Sequence, residues 1–200
     1  MTDEELIRTL AARVKAAIDE HAGELTALDQ AIGDGDHGLN MARGFDAVAA
    51  SADEIAGLGF GAALQKAGMT LVMKVGGASG PLYGSGLMAM GKAAAERPVD
   101  AAAAAEMLAA GVEAVKARGK SDAGAKTMLD VLVPVQAALA EGGAAAARAA
   151  ADEGLEATRP MRATKGRAAF LGERSVGHLD PGARSSALLV HTVCDVVEGK

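Results

Sequence analysis

The sequence predicts an all-α fold, a bundle of about eight amphipathic helices, on three observations. Apolar residues recur at helical spacing. No stretch shows a sustained period-2 alternation rich in β-branched residues. Gly- or Pro-containing breaks separate the helical patterns at Gly57-Leu58-Gly59, Gly76-Gly77, Arg97-Pro98, Gly119-Lys120 and Gly142-Gly143.

The first helix is the best signalled. Leu6, Ile7, Leu10, Val14, Ala17 and Ile18 share one face, and Thr2 ahead of Asp3, Glu4 and Glu5 supplies a cap and an acidic first turn. That pattern is an amphipathic helix of about five turns. Further helical patterns cover 39–55, 59–74, 84–95, 100–117, 125–140, 143–158 and 184–197. Alanine dominates them, which favours helix and lets helix axes approach closely. Pro134, inside the 125–140 pattern, is expected to kink the helix or mark its edge. With no linker, charge block or internal repeat, the chain reads as a single domain over residues 1–200.

Composition narrows the function. A net charge of −6 argues against a nucleic-acid backbone as partner, because phosphate neutralisation needs a basic face. One Tyr, three Phe and no Trp leave no aromatic platform for stacking bases. The alanine tracts fall short of a membrane span, and the acidic opening MTDEELIRTL lacks an export signal, so no membrane association is expected. Cys194, among Val193, Val196 and Val197, reads as a small core residue. A lone cysteine forms no disulfide within the chain, which suits a cytoplasmic protein.

Glycine is spread unevenly. Isolated glycines such as Gly23 and Gly111 are expected to end helices. Three clusters lie outside the helical patterns: 33–38, VGGASGPLYGSG at 75–86, and GRAAFLGERSVGHLDPG at 166–182. The five glycines within 76–86, beside Ser79, Pro81, Tyr83 and Ser85, are expected to form a functional loop.

The first cluster carries the chemistry. LDQAIGDGDHG (28–38) crowds Asp29, Asp34 and Asp36 together with His37. Two carboxylates about 5 Å apart at an effective dielectric of 20 repel by roughly 3 kcal/mol, so a cation is expected between them. Gly33-x-Gly35-x-x-Gly38 formally matches a dinucleotide fingerprint, but no strand precedes it and its aspartates would face the phosphates. An EF-hand beginning at Asp34 fails at Leu39 and Phe45, the positions that need Gly and Glu. No Glu-x-x-His pair offers a di-iron site, and one cysteine with scattered histidines disfavours zinc. Mg²⁺ remains: it takes hard oxygen ligands and completes its shell with water and phosphate. Three aspartates on one loop would hold one ion or a close pair. The competing reading is a solvated acidic turn in which Asp34 or Asp36 caps a helix starting near Leu39.

Four stretches together resemble a known family, the ADP-binding L subunit of bacterial dihydroxyacetone kinase, which is also the C-terminal domain of single-chain ATP-dependent dihydroxyacetone kinases. They are LDQAIGDGDHGLNMARGF (28–45), GMTLVMKVGGASGPLYG (68–84), GAKTMLDVLVPV (124–135) and RATKGRAAFLGERSVGHLDPGARSS (162–186). The resemblance implies a barrel of antiparallel helices with a nucleotide, ADP or ATP, held by loops at one end. It implies two Mg²⁺ on Asp29, Asp34 and Asp36, bridging the nucleotide phosphates. Matching motif positions make His37, Gly38, Leu39, Asn40, Ala78, Ser79, Gly119, Met128, Arg167, Asp180, Pro181 and Gly182 the nucleotide contacts.

Each contact has a chemical rationale. Asn40 and the first-turn N–H groups of its helix would face a phosphate. Ser79 with the glycine N–H groups would form an anion nest. Met128 would wall the adenine, and the Arg167 guanidinium would fork onto two oxygens. His37 is expected to hydrogen-bond a phosphate in its neutral form, and His178 to order its loop. No protein nucleophile is expected.

The implied reaction is phosphoryl transfer to dihydroxyacetone held on a separate K subunit, with ADP either recharged by a phosphohistidine-bearing M subunit or exchanged for free ATP. Two other classes stay open: a nucleotide-loaded adaptor for a transcriptional regulator, and the nucleotide subunit of another split kinase for a keto-sugar or fatty acid.

Overall fold

The first helix, α1 (Asp3–Ile32), begins as its sequence dictates. Thr2 Oγ1 accepts from Glu5 N at 3.2 Å and Glu5 Oε2 accepts from Thr2 N at 2.8 Å, a reciprocal capping box. In the computed structural model, which describes residues 1–94 and 100–200, α1 runs well beyond the expected five turns. The buried stripe continues: Ile7, Ala11, Val14 and Ile18 are followed at the same three-and-four spacing by Leu25, Asp29 and Ile32. Asp29 therefore sits on a core-facing position of a helix, not on a loop with Asp34 and Asp36 as expected.

The pattern at 39–55 divides at Ser51 into α2 (His37–Ala50) and the short α3 (Ala52–Ala56). After α4 (Phe60–Lys74), α5 (Ser79–Ala93) starts at Ser79 rather than at 84, which corrects the reading of 76–86 as a loop. Only Gly76 and Gly77 lie between the helices; Gly80, Gly84 and Gly86 are helical. The Arg97-Pro98 break and Ala95 lie outside the described residues. There follow α6 (Ala101–Gly119), α7 (Leu129–Ala157), a 3₁₀ segment (Arg167–Ser175) and α8 (Pro181–Glu198).

Glycine here serves packing. A Cβ on Gly68 would lie 2.6 Å from the carbonyl oxygen of Gly84, and one on Gly61 would lie 2.7 Å from that of Gly91. The two pairs are seven residues apart on each helix and run antiparallel, so α4 and α5 touch backbone to backbone over two turns. Gly111, expected as a helix end, lies inside α6 with Met90 Cγ 2.8 Å from where its Cβ would be.

The break expected at Gly142-Gly143 is present: Gly143 has φ +65° inside α7. Pro134 produces no comparable departure, and the helix passes through it. A Cβ on Gly154 would lie 3.1 Å from Val131 Cα, so the halves of α7 fold back on each other as an antiparallel hairpin. By length and composition α7 could cross a membrane. The Gly143 break instead packs its halves together around Val131, Val135, Ala147 and Ala151, with Cys194 from α8 in the same cluster. Burial pushes the Cys194 thiol up, as suits a core residue.

Counting the halves of α7 separately and α2 with α3, eight rods among the described residues alternate in direction, as the family resemblance implied. Neighbours pair in the order α1, α2, α4, α5, α6, α7, α8, and α8 returns to α1, closing a ring. Arg184 of α8 joins Glu24 of α1 across the seam at 2.6 Å. The inside is filled by Ile18, Leu25, Met41, Leu71, Leu129 and their neighbours. Because the rods alternate, α1 ends, and α2, α5, α7 and α8 begin, at the same end of the barrel.

Candidate functional site

At that end the loops enclose a cavity of about 420 Å³. The first residues of four helices line it: His37 of α2, Ser79 of α5, Pro181 of α8, and Met128 immediately before α7. Each helix start carries N–H groups without intrahelical partners and the positive end of a helix dipole, so the cavity wall favours an anion.

Against that wall stand three carboxylates. Asp29, Asp34 and Asp36 each offer an oxygen, and these oxygens lie within 4.8 Å of one another. Asp29 is buried while the other two are not. Asp29 Oδ2 accepts from the N–H of Asp36 at 2.9 Å and of His37 at 3.1 Å, so Asp29, rather than Asp34 or Asp36, caps α2. The Asp36 side chain makes no cap bond. A Cβ on Gly33 would collide with the Asp29 carboxylate, and Gly35 takes φ +76°, a turn that glycine makes freely, between Asp34 and Asp36. The donor set is all hard oxygen with further sides open to the cavity, which fits Mg²⁺. Arg167 Nε lies 2.9 Å from Asp34 Oδ2, where one guanidinium spans the acidic cluster and the cavity mouth.

His37 is embedded in hydroxyls. Its Nδ1 lies 3.1 Å from Ser79 Oγ and its Nε2 2.9 Å from Ser185 Oγ. Tyr83 OH lies 2.7 Å from Ser185 Oγ and 2.8 Å from Ser186 Oγ. Burial pulls the imidazole below its ordinary value against the opposing pull of Asp29 and Asp36, which favours the neutral ring expected for it. Both ring nitrogens are engaged by serines, so the ring orients Ser79 at the start of α5. Tyr83 was expected in the functional stretch at 76–86 but without a role, and Ser185 and Ser186 were missed by sequence reasoning. The only signal was their place inside two matched stretches.

Asp180 caps α8, with Oδ2 accepting from Ala183 N at 2.7 Å. It is buried, and burial pushes its carboxyl up to about 7. Lys126, also missed, is buried on the same wall and, among the described residues, donates only to backbone carbonyls. One of those carbonyls belongs to His178, which ties down the loop that His178 was expected to order.

Of the expected contacts, His37, Ala78, Ser79, Met128, Arg167, Asp180, Pro181 and Gly182 line the cavity together with the three aspartates. Gly38, Leu39, Asn40 and Gly119 do not. A Cβ on Gly38 would collide with the Ala22 carbonyl of α1, so this glycine lets α2 approach α1. Leu39 points outward. Asn40 is buried against Gly76, supporting the loop that carries Ala78 and Ser79. Gly119 ends α6 beside Leu82, a cavity residue, and precedes Lys120 on an open groove that meets the cavity at Lys165.

The model of the DAK2 domain family matches residues 31–195. The chain is 48% identical over 176 residues to PEP-dependent dihydroxyacetone kinase 1, ADP-binding subunit DhaL, of Listeria innocua, covering 88% of each chain. It is 43% identical over 171 residues to the PEP-dependent dihydroxyacetone kinase, ADP-binding subunit DhaL, of Escherichia coli, covering 80% of this chain and 81% of that one. Among solved structures, the dihydroxyacetone kinase from C. freundii in complex with AMP-PNP and Mg²⁺ superimposes with a TM-score of 0.77 at 26% identity. That match covers 96% of this chain and 34% of the larger one, so the chain spans about a third of that enzyme. On the family match and the extent of both subunit alignments, this chain belongs to the DAK2 domain family.

Proposed function

We propose that this chain is the nucleotide-carrying subunit of a cytoplasmic dihydroxyacetone kinase, a single nucleotide-binding domain acting with partner subunits. It passes a phosphoryl group from a Mg²⁺-bound nucleotide to dihydroxyacetone held on a separate K subunit. Bound ADP is recharged by a phosphohistidine-bearing M subunit. The observation that carries this reading is the convergence of three carboxylate oxygens within 4.8 Å on a cavity walled by helix N-termini. The PEP-dependent subunits similar to this chain support the choice of phosphoryl donor.

Asp29, Asp34 and Asp36 are the residues to hold the metal, two ions by the family resemblance. Bound there, Mg²⁺ supplies neutralisation of charge on the phosphate oxygens. The protein's own part is positioning. The N-termini of α2, α5 and α8 aim N–H groups at the phosphates, and Ser79 is held for the same task by His37. Arg167, at the mouth, carries the guanidinium fork for phosphate oxygens. Met128 walls the cavity where an apolar base surface would rest, and the groove past Lys165 toward Gly119 leaves room for the nucleoside end. No side chain of the chain serves as nucleophile.

The test is to purify the chain and assay retained nucleotide. Tightly held ADP that becomes phosphorylated only with phosphoenolpyruvate and the phosphotransferase proteins is the expected result. Turnover with free ATP and a K-type partner alone would instead make the nucleotide an exchanging substrate. Binding without transfer under either condition would favour the regulatory adaptor.

A further inference from the structure

Lys126 is fully buried, yet among the described residues no carboxylate pairs with it directly. Its Nζ lies 2.6 Å from the Thr158 carbonyl oxygen, 3.1 Å from that of Met161 and 2.6 Å from that of His178. The Arg159 carbonyl oxygen follows at 3.4 Å. An ammonium has three donors and no acceptor, so a cage of carbonyls is its match, and Thr158 ends α7, where carbonyls lack helical partners. The backbone of Lys126 is itself left-handed, with φ +61°, a conformation that a side-chain-bearing residue rarely adopts. Two independent features thus single out one residue.

The carbonyl acceptors come from two segments, 158–161 and 178, both distant in sequence from Lys126, and both sides of the cage border the cavity. Thr127 and Met128 follow Lys126 directly; Asp180, Pro181 and Gly182 follow His178. Thr158 Oγ1 also accepts from Asp180 N at 3.1 Å, so the cage is bonded to the start of α8.

We infer that Lys126 is a positioning residue of the nucleotide site, a tethered cation whose carbonyl cage fixes the Thr127–Met128 edge of the cavity against the Asp180–Gly182 edge. The inference rests on the cavity's being the nucleotide site. The Lys126 ammonium is turned to the backbone carbonyls of its cage. It acts through the edges that it joins, as an outer residue holding ligands in place.

Lys126→Ala in the full chain tests it, with ADP affinity measured at saturating Mg²⁺ alongside circular dichroism. Affinity is expected to fall about 10- to 100-fold, the cost typical of losing an outer positioning group, while the helical signal stays. Propylammonium, which replaces the missing stem and ammonium, is expected to restore most of it; tetramethylammonium, which has no N–H, is not. Unchanged affinity in the variant, a loss that propylammonium leaves unrepaired, or equal repair by both cations would overturn the assignment. If Lys126→Ala does not fold, Lys126→Met carries the test: it keeps the stem and removes the donors, and parental affinity in it would overturn the assignment equally. Failure of the parent chain itself to bind MgADP would instead strike the nucleotide reading.

Discussion

Asp29 and Asp36 belong to one acidic cluster but are held differently, and that separates metal binding from folding. Asp36 makes no bond through its side chain to the helix that it precedes, whereas Asp29 caps α2 through two N–H groups. Asp36→Ala is therefore expected to lose Mg²⁺-dependent ADP retention by about 100-fold while unfolding within about 0.5 kcal/mol of the parent in EDTA. Asp29→Ala should lose both, at a cost of about 1–2 kcal/mol from the missing cap. Calorimetric titration and urea unfolding read the two effects, and unchanged ADP affinity in Asp36→Ala would sink the metal bridge. Asp180 supplies a pH dependence. Burial raises its carboxyl to about 7. Between the ordinary aspartate value near 4 and that point, the folded chain holds a proton which the unfolded chain has released. Its contribution to stability is full below about pH 4 and is lost as pH rises through 7, a change of at most about 4 kcal/mol. Asp180→Asn keeps an oxygen acceptor for Ala183 N–H and removes the titration. The parent-minus-variant difference in unfolding free energy is expected to fall from pH 4 to pH 8, and a flat difference would contradict the buried acid.

At the scale of elements, the sequence was most legible where a local rule decided the outcome. Thr2 caps α1 as written, with Glu5 of the acidic first turn completing the capping box, and Gly142-Gly143 breaks α7 as written. The all-helical class followed from periodicity. It was least legible where tertiary contact overrode local propensity. Glycine disfavours helix by itself, so the run at 76–86 looked like a loop; in the barrel it is mostly helix, because α5 must meet the backbone of α4. The signal was the seven-residue spacing of Gly61 with Gly68 and of Gly84 with Gly91, which a count of glycines does not see. Asp29 was misplaced for a related reason: a charged residue on a core stripe looks like the end of a helix unless the core there is the site. Two substitutions weigh the glycine argument. Gly84→Val puts a branched side chain where even a Cβ would lie 2.6 Å from the Gly68 carbonyl oxygen, and is expected to cost 1–3 kcal/mol or more. Gly23→Ala, mid-helix with nothing within 4 Å of the new Cβ, should stabilise by about 0.5–1 kcal/mol. Urea unfolding compares them, and equal effects at both positions would refute the packing role.

At the scale of the whole molecule, an alternating ring of helices creates two unlike ends, and the charges are sorted between walls of one of them. α1 brings its C-terminal, dipole-negative end and Asp29; α2, α5, α7 and α8 bring positive N-terminal ends. Among the described residues the acidic cluster meets that wall directly through the Asp29 cap on α2, while Asp34 pairs with Arg167. A magnesium nucleotide has both complements, a cation for the carboxylates and phosphates for the N–H groups. The segment from 158 to 180 has few apolar anchors: Ala163, Ala168 and Leu171 in a small cluster with Ile32 of α1, and Leu179 against the α7–α8 cluster. Its order must come largely from polar contacts, including the Lys126 cage and the site. Binding is therefore expected to stabilise the whole barrel through that segment. At 100 times Kd the gain is about 2.7 kcal/mol, or roughly 5–10 °C in Tm for a chain of this size. Amide exchange should slow most over 158–180 and at the starts of α2, α5 and α8. ADP in EDTA should recover only a small part of the shift, because phosphates then approach unneutralised carboxylates. An equal shift with and without Mg²⁺ would mean that the nucleotide is recognised by the N–H wall alone, and that the three aspartates are there only to hold α2 and its loop.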